Sequence, residues 1–435
     1  MNSGHSKSQP KKILILSHTA KLGGGEVAIL NLLHHFDHER YEITLICGEE
    51  GPFLDQVRQL GLRCEVLPLS KRVKNQSKDS LGYSILLKPH LLMSAFGYVR
   101  RLRRRIKALQ PDLVHTNTLK ADLLGGLAAR LAGATLVWHV RDRISEDYLP
   151  KIVVRYFRQL SRMIPHAIVT NSLASSNAIQ GQPEPVFGEP PDTRRRKKAW
   201  TGPPIHVVHE GVTMLGGEPL TGGPLPEANG PIFGLVGRIS PWKGQHVFVE
   251  AASRLNRKYP DARFWIIGAS LFQTADRYQQ QIAKLIDERN LEDVVHFTGF
   301  RDDIYAVIEK LDCLVHASVT GEPFGQVIIQ GMATARPVIA TAGGGVLEII
   351  DHGRTGLLVE MGSVDAMAQA IEQIILAPAD AKQMGQEAQK EVKERFMIQT
   401  VVEKIQNIWD VNIKTQGDAL PRIPEPGTNH SPSLT

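Results

Sequence analysis

Two cations whose spacing suits phosphate chemistry lie in the second half of the chain. Arg238 and Lys243 stand five positions apart in the segment GRISPWKG (residues 237–244), directly after the apolar run Ile232–Val236. If that run is a strand followed by a helix, both cations lie at a helix amino end, where unpaired N–H groups and the helix dipole attract phosphate. Charge-assisted hydrogen bonds would hold a diphosphate there and stabilise it as a leaving group. Solvated cations on an exposed loop are the alternative interpretation.

A glutamate occupies a similar place in the segment TGEPFGQV (residues 320–327), after the apolar run Cys313–His316. A carboxylate beside a diphosphate is unfavourable unless it accepts hydrogen bonds from hydroxyl groups, and a sugar carries several. Farther on, GGGVLE (residues 343–348) again joins flexible glycines to an acidic helix start. Glu322 therefore suggests a sugar site, although it would also serve simply to balance a helix dipole. The 343–348 segment is either a phosphate contact or a tight turn into a helix.

A glycine loop lies near the start of the chain. The glycines at 23–25 stand between an apolar run and a helical pattern, where their backbone N–H groups can approach a phosphate or a sugar closely. The same loop fits G-x-G-x-x-A, ending at Ala28, with Glu49 or Glu50 at about the distance of a ribose-binding acid. That pattern predicts a dinucleotide enzyme. Five residues separate Ser17 from the first glycine, however, whereas the dinucleotide fingerprint turns almost directly from the strand.

One histidine ends another apolar run, in the segment WHVRD (residues 138–142). A lone histidine in such a run is usually structural. The functional alternative places His139 at the edge of a cleft, beside Arg141.

These motifs lie at the ends of short apolar runs that alternate with helical patterns. The first half has apolar runs at 13–16, 41–47, 63–67, 113–115 and 135–140, with helical patterns at 26–36, 52–60 and 121–131. The second half has apolar runs at 232–236, 264–267, 294–297, 313–316 and 338–340. This alternation predicts an α/β protein with two Rossmann-like, doubly wound domains. Ligands of such sheets bind beyond the carboxyl ends of the strands, so two facing domains would share a cleft.

Changes in composition predict the limits of the domains. We expect a disordered start at 1–10, a first domain at 11–180, a proline- and glycine-rich basic linker or insertion at 181–230, a second domain at 231–395, a crossing helix at 396–413 and a disordered tail at 414–435. The linker contains a basic cluster at 194–198. A helical pattern from 380 to 413 is long enough to close the second domain and to cross back to the first.

The composition excludes several other classes of protein. A chain of 435 residues, 42% hydrophobic and 22% charged, fits a globular protein of two domains. Three cysteines without a Cys-x-x-Cys spacing and sixteen histidines without a ligand pattern predict neither disulfides nor a metal site. A net charge of +6 is mild for this length, which argues against a nucleic-acid partner. The polar start lacks a secretory signal and no apolar run spans a bilayer, so we expect a cytoplasmic protein.

A basic amphipathic helix is predicted at residues 92–109. Its apolar positions share one face and its cations lie elsewhere: Leu92, Phe96, Val99, Leu102, Ile106 and Leu109, against Arg100, Arg101, Arg103, Arg104, Arg105 and Lys107. The favoured interpretation packs the apolar face on the sheet and leaves the cations in water. The alternative is peripheral contact with anionic lipid at the inner membrane surface, where each well-placed cation contributes about 1 kcal/mol.

Taken together, residues 237–244, 322–325 and 343–348 resemble the family-4 (group 1) retaining glycosyltransferases of the GT-B fold. The similarity in layout runs from residue 11 to about residue 413. It implies two Rossmann-like domains facing across a cleft, with a C-terminal helix crossing back to the first. It further implies transfer of a hexose from a UDP-, GDP- or ADP-sugar to an acceptor hydroxyl, with retention and with no metal or other cofactor.

The resemblance also implies roles for individual residues. Arg238 and Lys243 would hold the donor pyrophosphate and assist its departure, while Glu322 would contact hydroxyls of the transferred sugar. His139 would lie near that sugar. The other positions implied for the donor site are Arg141, Glu348, Gly24, Gly25, Phe324 and Gly325.

One position departs from the family pattern. The family usually has a second glutamate eight positions after the first, contacting the nucleotide ribose, and here that position is Gln330. An amide still hydrogen-bonds a ribose hydroxyl but without the charge, so donor affinity or nucleotide preference would change. The acceptor would be a glycan, a lipid-linked sugar or a small molecule. Two alternatives stay open: a catalytically weak sugar-nucleotide-binding protein, and an NAD-dependent oxidoreductase.

Overall fold

The computed structural model describes residues 9–70, 89–184, 187–188, 199–214, 217, 219–270 and 273–414. Most of the predicted disordered start, the basic cluster at 194–198 and the predicted tail from residue 415 onward lie outside these residues. Among the described residues, no helix is both long enough and apolar enough to cross a membrane.

Strands and helices alternate along the described chain. The strands are β1 (Lys11–Ser17), β2 (Tyr41–Cys47), β3 (Arg63–Val66), β4 (Leu113–Thr116), β5 (Leu136–Val140), β6 (Ala167–Thr170), β7 (Ile205–Val207), β8 (Ile232–Val236), β9 (Arg263–Ile267), β10 (Val295–Gly299), β11 (Cys313–His316), β12 (Val338–Thr341) and β13 (Leu357–Val359). The helices are α1 (Gly24–His35), α2 (Pro52–Gln59), α3 (Pro89–Leu109), α4 (Gly126–Ala132), α5 (Lys151–Leu160), α6 (Leu173–Gln180), α7 (Gln245–Asn256), α8 (Gln273–Glu288), α9 (Ile304–Ile308), α10 (Gln326–Ala333), α11 (Val364–Leu376), α12 (Pro378–Arg395) and α13 (Ile398–Lys414).

The strands form two parallel sheets with the same order. The first sheet runs β3-β2-β1-β4-β5-β6-β7, and the second runs β10-β9-β8-β11-β12-β13. Each therefore has the doubly wound order, in which the chain reverses its direction of growth beside the first strand. The predicted fold class, two Rossmann-like domains, is confirmed. The switch points lie between β1 and β4 and between β8 and β11, and sheets of this order bind ligands at the carboxyl ends of those strands.

Burial on both faces of the sheet explains why the strands appear as continuous apolar runs. In β1, Ile13 and Ile15 join the core on one face, while Leu14 and Leu16 join the core on the other. All four side chains are at most 2% exposed. Each such side chain contributes about 1.5–3 kcal/mol relative to an exposed one, so a polar residue at any of them would be costly.

The same hydrogen bond, from a backbone N–H to an aspartate, occurs at the amino end of the central strand in both domains. In the first, the backbone N–H of Lys12 donates to a carboxylate oxygen of Asp112 at 2.7 Å. In the second, the N–H of Ile232 donates to the carboxylate of Asp312 at 2.8 Å. Each aspartate immediately precedes the strand that pairs with the central one. The same hydrogen bond therefore helps to fix the register of both pairs of strands.

The crossing helix holds the second domain against the first. Helix α13 packs on α1, and the indole of Trp409 lies 4.6 Å from the ring of Phe36 and 5.3 Å from that of Tyr41, between ring centroids. The carboxylate of Asp410 accepts hydrogen bonds from Lys11 at 2.6 Å and from the Tyr41 hydroxyl at 2.7 Å. The predicted return of the C-terminal helix to the first domain is confirmed.

Several elements differ from the predicted ones. The single helical pattern from 380 to 413 is divided into α12 and α13, because Phe396 and Met397 leave the helix and Met397 forms a bridge with Val212. Strand β7 falls inside the stretch predicted as a linker, where the sequence shows a strand-like run at 206–209, and it completes the first sheet. Helices α5 and α6 and strand β6 had no counterpart in the sequence analysis. The helix predicted at 121–131 begins with a π-helical turn, Ala121–Gly125.

Candidate active site

Three loops of the second domain converge at the carboxyl ends of its strands. They follow β8, β11 and β12, and they contain the three motifs that the sequence analysis grouped together. The backbone N–H of Val319 donates to the carbonyl of Trp242 at 2.9 Å, and the N–H of Gly345 donates to the carbonyl of Glu322 at 2.9 Å. The motifs are thus parts of one continuous loop surface.

Two glycines permit this close approach. Gly244 has a φ of 72°, and a Cβ atom there would lie 1.8 Å from the carbonyl oxygen of Ala317. Gly344 has a φ of 64°, and a Cβ atom there would lie 2.0 Å from the carbonyl oxygen of Glu322. Any larger residue would therefore push the loops apart in addition to straining its own backbone.

An ion pair between half-buried Lys243 and buried Glu322 lies at the centre of these loops. The same carboxylate oxygen, Oε1, accepts a hydrogen bond from the Ser318 hydroxyl at 2.6 Å and lies 3.0 Å from Nε2 of His316. The Thr341 hydroxyl donates to the carbonyl of Ser318 at 2.7 Å, which holds that loop in place. The two residues that the sequence assigned to opposite parts of a donor are therefore in direct contact.

The charge of this pair is set by its surroundings. Burial alone would raise the pKa of Glu322, but the Lys243 ammonium and the hydrogen bond from His316 together hold that pKa well below its usual range. Glu322 is therefore ionised near neutral pH. An anionic diphosphate can compete with Glu322 for Lys243, and sugar hydroxyls can then replace the ammonium as donors to the carboxylate.

Arg238 and Lys243 share one aromatic neighbour. The guanidinium carbon of Arg238 lies 5.7 Å from the ring centroid of Trp242, and Nζ of Lys243 lies 4.4 Å from the same centroid. Gln245, the first residue of α7, donates from Nε2 to the carbonyl of Arg238 at 3.0 Å. These contacts hold both cations at the amino end of α7, as the sequence predicted.

Three of the predicted donor-site positions lie on helix α10 or directly before it. Gly325 precedes the helix with a φ of 113°. The ring of Phe324 is buried, stacks on His209 at 5.5 Å between centroids and contacts Phe396, so it is not available to a ligand. The ring of Phe324 therefore belongs to the packing between the domains. Gln330 is half-buried on α10 itself.

Glu348 makes a contact between the domains. Its carboxylate accepts hydrogen bonds from the backbone N–H groups of Leu173 and Ala174, both at 2.8 Å, and lies 3.1 Å from Nε2 of His209. Leu173 and Ala174 are the first residues of α6, so Glu348 caps a helix of the first domain. The dipole it balances is that of α6, whereas its own segment is a short 3₁₀ turn.

In the first domain, Arg141 joins the glycine loop to the connection between the domains. Its Nε donates to Asn117 at 2.9 Å, and Asn117 in turn donates to the carbonyl of Gly25 at 3.3 Å. Its Nη1 forms a buried ion pair with Glu210, which lies just after β7. A Cβ atom at Gly24 would meet no described atom within 4 Å, so there is room above this loop.

His139 is 1% exposed at the end of β5. Its Nδ1 lies 3.1 Å from Nε2 of His115 and 3.3 Å from Nη2 of Arg141. Among the residues that the structure describes, its Nε2 has no hydrogen-bond partner. Burial, together with the charge of Arg141, holds the pKa of His139 well below its usual range, so the ring is neutral.

The glycine loop and Glu49, which suggested a dinucleotide enzyme, both form hydrogen bonds within the protein. Glu26, in the first turn of α1, is hydrogen-bonded to its own N–H and to that of Gly23, at the helix end where a pyrophosphate would bind. Burial raises the pKa of Glu26 to about 7. Glu49 accepts hydrogen bonds from the Thr19 hydroxyl at 2.6 Å and from the N–H of Ala20 at 3.3 Å. These contacts do not favour a dinucleotide at this loop.

Sequence reasoning missed several residues of the site. His115 is the next-to-last residue of β4 and His316 is the last residue of β11, the strands beside each switch point. Each histidine closes a similar segment that begins with Asp: DLVH at 112–115 and DCLVH at 312–316. That repeat was a signal that would have found both. Ser318, Asn117, Glu210 and Trp409 carry no comparable local signal, because their partners are distant in sequence.

Two family models match the chain. The model described as glycosyl transferases group 1 matches residues 224–391. The model described as glycosyltransferase family 4 matches residues 22–186. The two matches fall on the second and the first domain respectively.

Curated relatives match over the whole chain or over part of it. The UDP-Gal:alpha-D-GlcNAc-diphosphoundecaprenol alpha-1,3-galactosyltransferase of Escherichia coli is 24% identical over 94% of this chain and 98% of its own length. The putative glycosyltransferase EpsD of Bacillus subtilis is 34% identical, but the match covers 38% of this chain and 42% of EpsD.

Solved structures share the two-domain fold. The structure of Anabaena HepE in complex with UDP matches 92% of this chain and 100% of that chain, with 25% identity and a TM-score of 0.72. The structure of a mutant of S. aureus TarM in complex with fondaparinux, alpha-GlcNAc-glycerol and UDP matches 92% of this chain and 100% of that chain, with 15% identity and a TM-score of 0.67. The GT-B neighbours agree with the arrangement of the two sheets.

Proposed function

This chain belongs to the group 1 glycosyltransferases, and we propose that it transfers a hexose from a nucleoside diphosphate sugar to an acceptor hydroxyl with retention of configuration. The observation that carries the proposal is the ion pair of Lys243 and Glu322, on loops that meet at the carboxyl ends of β8, β11 and β12. A cation for the diphosphate and an acceptor for sugar hydroxyls are thereby adjacent. These are the two needs of a sugar-nucleotide site.

UDP is the nucleotide that we propose for the donor. The E. coli relative is named for UDP-galactose, and HepE structures contain UDP or UDP-glucose. In the proposed complex, Arg238 and Lys243 bind the pyrophosphate, and Glu322 accepts hydrogen bonds from the sugar. Two cations at a helix amino end supply the positive charge that a departing diphosphate requires, so we propose no metal.

The proposed reaction exchanges one bond at the anomeric carbon. The bond from that carbon to the phosphate oxygen breaks, and the acceptor oxygen forms a bond on the same face. The acceptor's proton passes to the departing phosphate oxygen, so no side chain has to act as the base. The protein's contribution is to position the reactants and to stabilise the leaving diphosphate.

We propose a lipid-linked sugar or another glycan as the acceptor. The E. coli relative is named for a GlcNAc joined to diphosphoundecaprenol, whose undecaprenol part is a long hydrocarbon. An acceptor of that kind requires the enzyme to work at a membrane surface. Helix α3 of the first domain supplies the features for such a contact.

The amino-terminal half of α3 exposes apolar side chains, contrary to the favoured interpretation of the sequence. Val99 and Ile106 are buried on the sheet as expected, but Met93 is 75% exposed and Phe96 is 70% exposed. Exposed cations follow along the same helix: Arg100, Arg101, Arg103, Arg104 and Lys107. Apolar side chains beside cations are the pattern of a helix that lies in the interface of an anionic membrane.

Liposome flotation tests this membrane contact. We expect the protein to float with vesicles that contain anionic lipid and to stay behind with neutral vesicles, because the cations contribute about 1 kcal/mol each near a charged surface. The double variant Met93→Ser/Phe96→Ser should lose most of the bound fraction. Leu376→Ser, which alters a side chain of α11 that is 67% exposed, serves as the matched control. Equal binding to anionic and neutral vesicles would contradict the proposed membrane contact.

Thermal unfolding with single nucleotides tests the proposed function. We expect UDP to raise the unfolding temperature, because a ligand at 100 times its Kd stabilises the folded state by about 2.7 kcal/mol. GDP, ADP and NAD at the same concentration should give smaller shifts. A shift with GDP or ADP alone would change the proposed nucleotide. Stabilisation by NAD alone would overturn the transferase proposal.

Gln330 distinguishes an active transferase from a catalytically weak binding protein. If the amide at this position limits donor binding, Gln330→Glu should raise kcat/KM for the donor about fivefold, since a hydrogen bond to a charged group is stronger by about 1 kcal/mol. Gln386→Glu adds the same charge at an exposed position of α12 and serves as the control. Unchanged or lower activity of Gln330→Glu would show that glutamine does not impair this site.

A further inference from the structure

Three aromatic side chains from separate parts of the chain form a buried row of hydrogen bonds. Nε1 of Trp409, on α13, donates to Nδ1 of His115 at 3.0 Å. Nε2 of His115, on β4, lies 3.1 Å from Nδ1 of His139 on β5. The rings of His115 and Trp409 are completely buried, and His139 is 1% exposed. The row thus runs from the crossing helix to the strand end at the cleft.

The direction of each hydrogen bond follows from the first donor. An indole nitrogen can only donate, so Nδ1 of His115 must be the acceptor and carries no proton. A neutral His115 then has its proton on Nε2 and donates to Nδ1 of His139. The guanidinium of Arg141 donates to the same Nδ1 at 3.3 Å. Two donors at Nδ1 leave no room for a proton there, so His139 carries its single proton on Nε2.

The Nε2–H of His139 has no hydrogen-bond acceptor among the described residues. Nε2 of His139 is buried without a hydrogen-bond partner, although buried donors are nearly always paired. Burial and the nearby Arg141 charge keep the pKa of His139 well below its usual range, so the ring remains a neutral donor at physiological pH.

We propose that Trp409 and His115 are positioning residues that hold His139 as the Nε2–H tautomer, so that His139 offers a neutral donor to an oxygen of the bound sugar nucleotide. The part that concerns the sugar nucleotide rests on the proposed function. In the fixed tautomer His139 donates a hydrogen bond and cannot accept a proton from the acceptor sugar. The crossing helix, which follows the second domain in the chain and packs on the first, thereby sets the hydrogen bonding of a residue in the first domain.

Nitrogen NMR of histidine rings in the full chain tests the assignment without any substrate. We expect the ring signals of His139 and His115 to show a protonated Nε2 and an unprotonated Nδ1, with His139→Gln and His115→Gln used to assign them. Trp409→Phe keeps an aromatic ring beside Phe36 but removes the N–H donor. In that variant a second tautomer of His115 should appear, and kcat should fall about tenfold, as for other residues that orient a site.

A matched control is available in the second domain. The indole N–H of Trp265 is buried without a partner among the described residues, so Trp265→Phe removes a tryptophan without removing a hydrogen bond. We expect this variant to keep the histidine signals and to change kcat less than twofold. If Trp409→Phe does not fold, His115→Gln and His115→Leu replace it: the glutamine amide can still donate to His139 and should retain most activity, whereas leucine should not.

A protonated Nδ1 on His139 in the unmodified chain would overturn the proposal. So would Trp409→Phe with unchanged signals of both histidines, or with a kcat like that of Trp265→Phe. If the signals behave as expected but no sugar nucleotide is turned over, the proposed function fails and the tautomer assignment stands.

Discussion

Lys243→Ala is expected to lower kcat about a hundredfold or more. Lys243 lies at the amino end of α7 and is proposed to neutralise the charge that develops on the departing diphosphate. Removing one such preorganised group typically costs about 3 kcal/mol in the barrier, which corresponds to a factor of about one hundred in rate. The variant should also respond less to UDP in thermal unfolding. Initial rates at saturating donor, together with the unfolding temperature, measure both effects.

The loss of Lys243 has a second consequence within the protein. Glu322 would keep its burial but lose the cation that lowers its pKa, so that pKa should rise and the folded state should be destabilised. Lys243→Arg restores the charge and separates the two effects, since it should recover stability better than rate if geometry matters. The control is Lys258→Ala, which removes an exposed lysine paired with Glu372 after the end of α7. A Lys243→Ala enzyme with the wild-type kcat would refute the role of Lys243.

Glu322→Gln is expected to lower kcat by a similar factor and to change how stability depends on pH. The neutral amide is a weaker acceptor than the carboxylate to which Ser318, Lys243 and, in the proposed complex, the sugar donate hydrogen bonds. It also leaves the Lys243 ammonium without its partner. Because a buried charge without a partner is costly, the variant should be less stable at neutral pH.

The pH dependence has a definite sign. The pKa of Glu322 is lower in the folded protein than the ordinary value of 4.5, so its ionised form favours folding. That contribution is complete above pH 4.5 and is lost as the pH falls through the lower folded value. The difference in unfolding free energy between wild type and Glu322→Gln should therefore be largest near pH 7 and shrink below about pH 4.5.

Denaturant unfolding between pH 3 and pH 7 measures this difference, provided the protein stays folded at the acidic end. Glu372→Gln serves as the control, because it removes a carboxylate that pairs with Lys258 at the surface, where solvent screens the charges. A difference that grows on acidification would contradict the assigned ionisation of Glu322. Full activity in Glu322→Gln would contradict its contact with the sugar.

The elements that the sequence predicted well are those with a strong local signal. β2 lies at 41–47 as predicted, because a parallel strand covered on both faces appears as a continuous apolar run. Strand β6 was missed although runs of the same length, such as 313–316, were recognised, because a run this short can equally belong to a buried helix. The break between α12 and α13 was missed for another reason. Neither proline nor glycine marks it; burial of Phe396 against Phe324 and the bridge from Met397 to Val212 end the helix.

The residues of the candidate site also include some with a strong local sequence signal and some without one. Arg238, Lys243 and Glu322 could be predicted as site residues from sequence because each lies in a loop after an apolar run, where parallel sheets bind their ligands. Their contact with one another was not evident from spacing, since Lys243 and Glu322 are 79 residues apart. Glu348 shows the opposite case: its place after a glycine turn suggested a donor contact, and the structure pairs it with the amino end of α6.

The sequence by itself determined the two parallel sheets, the loops that carry charge and the departure at Gln330, because these depend on residue type and on neighbours within one element. Only the tertiary structure decided which side chains meet. It placed His316 and Ser318 on Glu322, Glu210 on Arg141, and Trp409 on His115, which lies 294 residues away in the chain. The physical reason is that burial, hydrogen-bond direction and the charge state of a side chain depend on partners from other elements, and local sequence does not specify those partners.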